Sequence, residues 1–74
     1  MLQPKNARHA AVIDETMAAY DAGTRGGDLI ATFVDAADKQ GAIPPYEIVV
    51  AALLGPALGD DREALRKALQ GFNL

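Results

Sequence analysis

An all-α fold is what this sequence predicts: a compact bundle of about four short helices arranged around a central, apolar third helix. Three observations carry that expectation. Alanine, the best helix former, is the most frequent residue. Apolar residues recur three and four apart in separate segments, which is the spacing of helix faces. Glycine or proline separates each segment from the next, at Gly23, Gly41, Pro44, Pro45, Gly55, Pro56 and Gly59. The 74 residues leave room for one domain, residues 1–74.

The first segment spans Ala7 to Ala22. Asn6 is suited to the N-cap and Gly23 to the position just past the helix end. Ala10, Ile13, Met17 and Tyr20 make its apolar stripe, and Arg8, Asp14, Glu15 and Asp21 fall away from it. The second segment spans Leu29 to Gln40, capped by Thr24 or Asp28 and closed by Gly41. Its stripe is Ile30, Phe33, Val34 and Ala37, and Asp28, Asp35, Asp38 and Lys39 form its wet side.

The third segment starts at a proline pair. With Pro44 as N-cap and Pro45 as the first helical residue, Glu47 sits where the helix dipole favours an anion. Ile43 and Ile48 then have the spacing of a hydrophobic staple. The run from Ile48 to Leu54 is apolar all the way round, which predicts a helix buried on every side. Gly55 and Pro56 end or kink it. The β-branched run Ile48-Val49-Val50 also admits a buried strand at Glu47–Val50, but no second strand is present to pair with it.

The fourth segment spans Asp61 to Gln70. Asp60 as N-cap and Glu63 three residues on resemble a capping box. Leu65, Ala68, Leu69 and Phe72 form its stripe, and Arg66 and Lys67 lie where the dipole favours cations. The core expected from all four stripes is Ile13, Met17, Ile30, Phe33, Val34, Ile48, Val49, Ala52, Leu53, Leu65 and Leu69.

Catalytic chemistry has little to work with. Ser, Cys and Trp are absent, so the chain holds neither a disulfide nor a Ser- or Cys-based triad. His9, the lone histidine, reads as a surface residue in the first turn of the first helix. Asp35 and Asp38 share a helix face, which reads as a solvated one, and Gly26-Gly27-Asp28 reads as a turn. No metal, cofactor or small-molecule substrate is predicted, and the chain is not expected to be an enzyme.

Two familiar shapes provide a comparison. The chain resembles an acyl carrier protein in size, helicity and acidity, but that function needs a serine to carry the prosthetic group, and there is none. In a helix-turn-helix arrangement the fourth helix would read DNA with Arg62, Arg66 and Lys67. Asp60 and Asp61 at its start would repel phosphate, and the net charge of −3 gives no general attraction to a polyanion.

Surface is the remaining resource. A domain of this size buries only about 60% of the surface its unfolded chain exposes. Apolar area left over would mark a protein–protein contact. The function expected is therefore a non-enzymatic interaction module, an adapter or regulatory subunit, acting as a homodimer or with a partner protein. Its contact residues are expected to be Tyr20, Tyr46, Phe72 and Leu74, aromatic or apolar side chains near segment ends. The alternative is a small DNA-associated regulator using the fourth helix. No span reaches the about 20 apolar residues that cross a bilayer. Met1 leads into the polar Pro4-Lys5-Asn6 with no secretory pattern, so the expected compartment is the cytoplasm.

Overall fold

The computed structural model describes residues 7–41 and 45–72. Four helices form, α1 (Ala7–Asp21), α2 (Gly26–Lys39), α3 (Tyr46–Leu58) and α4 (Arg62–Gln70), with no strand among the described residues. The all-α bundle expected from the periodicity is what the chain adopts, and the strand at Glu47–Val50 does not form. Each helix packs on its chain neighbours, and α4 returns to α1. The result is a ring of four helices, in which α1 and α3 lie on opposite sides.

The helix ends follow from local chemistry. Gly23 takes φ +104, and the amides of Gly23 and Thr24 donate to the carbonyls of Tyr20 and Ala19 at 3.0 Å each. This crossed pair satisfies carbonyls left free at the end of α1. Gly41 ends α2 similarly, at φ +74, with its amide 2.9 Å from the Asp38 carbonyl.

Four boundaries differ from expectation. α3 begins at Tyr46 with Pro45 as N-cap, where Pro45 was expected as the first helical residue. α2 begins at Gly26 rather than Leu29, with Arg25 as N-cap in place of Thr24 or Asp28. Gly26 has φ +62, a conformation only glycine takes at little cost, so the turn can be completed before the first apolar residue. α3 does not stop at Gly55-Pro56 but continues to Leu58. Proline removes the amide that would bond back to Ala52, and Ala52 lies on the exposed side. α4 is capped by Asp61 rather than Asp60, its carboxylate accepting from the Ala64 amide at 3.1 Å. The expected role of Asn6 and the staple through Ile43 lie outside the described residues.

The core joins Ile13, Met17, Ile30, Phe33, Val49, Leu53, Leu65 and Leu69, as expected, with Val34 packed against it. It also takes in Val12, Leu29, Tyr20, Ala57 and Phe72. Phe72 folds back after α4 and sets its ring 4.8 Å from that of Phe33, centre to centre, tilted by 40°. Ile48 and Ala52 were expected inside and are exposed. The reason is the ring arrangement: α3 touches α2 and α4 only, so one side of it meets protein and the rest faces outward. The expectation that α3 is central and buried on every side is corrected accordingly.

His9 is likewise not on the surface. It is fully buried, with Nε2 3.0 Å from the Leu69 carbonyl oxygen. A carbonyl oxygen only accepts, so Nε2 carries the hydrogen and donates. Thr16, also fully buried, donates to the Val12 carbonyl at 2.9 Å. Every buried side-chain nitrogen and oxygen among the described residues has a partner.

Candidate functional site on the outer face of α3

The side of α3 that meets the bundle is narrow. Val49, Leu53 and Ala57, four residues apart, are its buried positions. Away from it stand large apolar groups, Ile48 at 54% exposure, Leu54 at 49% and Leu58 at 64%, while Tyr46, the first residue of the helix and in line with Leu53 and Ala57, is 65% exposed at the helix end. These four are the large hydrophobic side chains exposed among the described residues. Ala51, Ala52 and Gly55 fill the space between them and are also exposed. Glu47 is the one charged residue in the helix. A scattered exposed leucine is ordinary on a protein surface, whereas several on one helix face are not.

Beside this face, between α3 and α4, lies an apolar hollow of about 210 Å³ lined by Ile48, Ala52, Ala68, Gly71 and Phe72. Ile48 and Ala52 belong to both features, so hollow and helix face are continuous. No polar side chain lines the hollow, and it therefore offers contact to apolar groups and no chemistry on a bound molecule.

The far end of α3 is held by a polar cluster. Arg25 donates to the carbonyls of Tyr20 and Thr24 at 2.8 and 2.9 Å, stacks 3.6 Å from the centre of the Tyr20 ring, and reaches Asp60 at 3.6 Å. The Tyr20 hydroxyl donates to the Gly59 carbonyl at 3.3 Å. The α3–α4 connection is thereby tied to the end of α1. Asp21, beside this cluster, receives both Nε and a terminal nitrogen of Arg62, at 2.8 and 3.0 Å. The hydrogen bonds from Arg62 hold the Asp21 carboxyl below its ordinary range and raise the guanidinium in turn.

The expected contact residues separate. Tyr46 is exposed at the start of α3, in line with Leu53 and Ala57 and off the outer face. Tyr20 and Phe72 are buried, at 5% and 6% exposure, and close the ends of the core. Tyr20 is therefore not part of an exposed rim, and Phe72 contributes only the wall of the hollow. Leu74 lies outside the described residues. Of the cations considered for DNA, Arg62 is engaged by Asp21, Arg66 is half-buried and Lys67 is exposed. Ile48, Leu54 and Leu58 were not among the expected contact residues. Their signal was the all-apolar run itself, which one side of a four-helix ring cannot cover.

Comparison with protein-family models, with curated proteins and with solved structures finds no match to this chain. Among the described residues no helix is long and apolar enough to cross a membrane.

Proposed function

We propose that this protein is a non-enzymatic protein–protein interaction module, and that the outer face of α3 is its binding surface. The observation that carries the reading is the exposure of Tyr46, Ile48, Leu54 and Leu58 along one helix with a single charge beside them. Fully burying an exposed side chain of this kind returns roughly 1.5–3 kcal/mol, and these, about half exposed, forgo roughly half of that each. A second protein surface laid along α3 recovers it. The DNA reading draws no comparable support, since Arg62 already donates to Asp21 and the helix it belongs to starts beside two aspartates.

The test is site-specific photo-crosslinking in cells that express the full chain. A benzophenone side chain at Leu54 is expected to yield one discrete adduct, and the same group at Asp35, exposed on α2, is expected to yield none. Equal, diffuse labelling from both positions would overturn the assignment of the face.

A further inference from the structure

We draw no further inference here: the strongest candidate, the apolar hollow between α3 and α4 together with the outer face of α3 that continues it, belongs to the surface already described, and nothing in the structure shows what covers it.

Discussion

The imidazole of His9, in the first turn of α1, donates from Nε2 to the carbonyl oxygen of Leu69, near the end of α4, across 3.0 Å and 60 positions of sequence. Leu69 is among the last four residues of α4, whose carbonyls have no donor four residues on within the helix. Its carbonyl accepts from the Phe72 amide at 3.3 Å, and His9 is a second donor to it, one that closes the ring of helices between its first and last members.

Removing that donor has a predictable cost. His9→Ala removes one of the two donors to the Leu69 carbonyl, leaving the Phe72 amide, and opens a void in the core where the imidazole was; it is expected to destabilise the fold by about 1–3 kcal/mol. Urea denaturation followed by circular dichroism measures it. A midpoint equal to that of the native protein would show that the imidazole contributes nothing to closure.

Neighbouring leucines on α3 should behave in opposite ways. Leu53 is 1% exposed and Leu54 49%. Leu53→Ala is expected to cost about 2–5 kcal/mol, enough to unfold much of a small domain. Leu54→Ala, measured at low micromolar concentration, should fall within about 0.5 kcal/mol of the native protein. Thermal melts of the pair check the rotation of the helix directly, and equal losses would mean that α3 is covered on both sides.

Two adjacent glycines provide a similar contrast. Gly26 has φ +62, and a Cβ there would stand 3.3 Å from Leu58 Cδ2, while a Cβ at Gly27 would meet nothing within 4 Å. Gly26→Ala should destabilise by about 1–2 kcal/mol, the cost of a left-handed non-glycine residue. Gly27→Ala should stabilise by about 0.4–1 kcal/mol through the unfolded chain. Stability curves that moved in the same direction would place the start of α2 elsewhere.

The Asp21–Arg62 pair predicts a pH dependence at the acidic end. Hydrogen bonding from Arg62 lowers the Asp21 pKa below its ordinary 3.8. A carboxylate with a lowered folded pKa contributes stability that is fully present above the ordinary value and disappears as pH falls through the lowered one. A carboxyl titration by nuclear magnetic resonance should show Asp21 ionising below its ordinary 3.8, and Arg62→Ala should raise its pKa. An unchanged Asp21 titration in that variant would show the pair to be absent in solution.

Much of the fold was legible because its signals are local. The stripes at Ile13 and Met17, Ile30 and Phe33, and Leu65 and Leu69 point inward in the structure as their spacing requires. Gly23 and Gly41 end their helices in the left-handed conformation that favours glycine. What was not legible depends on which helices become neighbours. His9 looked like a surface residue until α4 returned to cover it, and Tyr20 and Phe72 looked like rim residues until each found a core to close. For α3 the composition identified a helix with more apolar surface than its own stripe needed, but composition carries no direction. Only the ring, in which α3 meets α2 and α4 and nothing else, shows that Ile48, Leu54 and Leu58 face outward.

The exposed face of α3 is the centre of this account, and crosslinking in cells with a second change on the same face tests it most directly. A benzophenone side chain at Leu54 is placed in the native full chain and in an Ile48→Asp variant, both folded by circular dichroism; Ile48 and Leu54 are both exposed. The native chain is expected to give one discrete adduct and the variant little or none. No discrete adduct from the native chain, or an equal adduct from the variant, would contradict binding through this face.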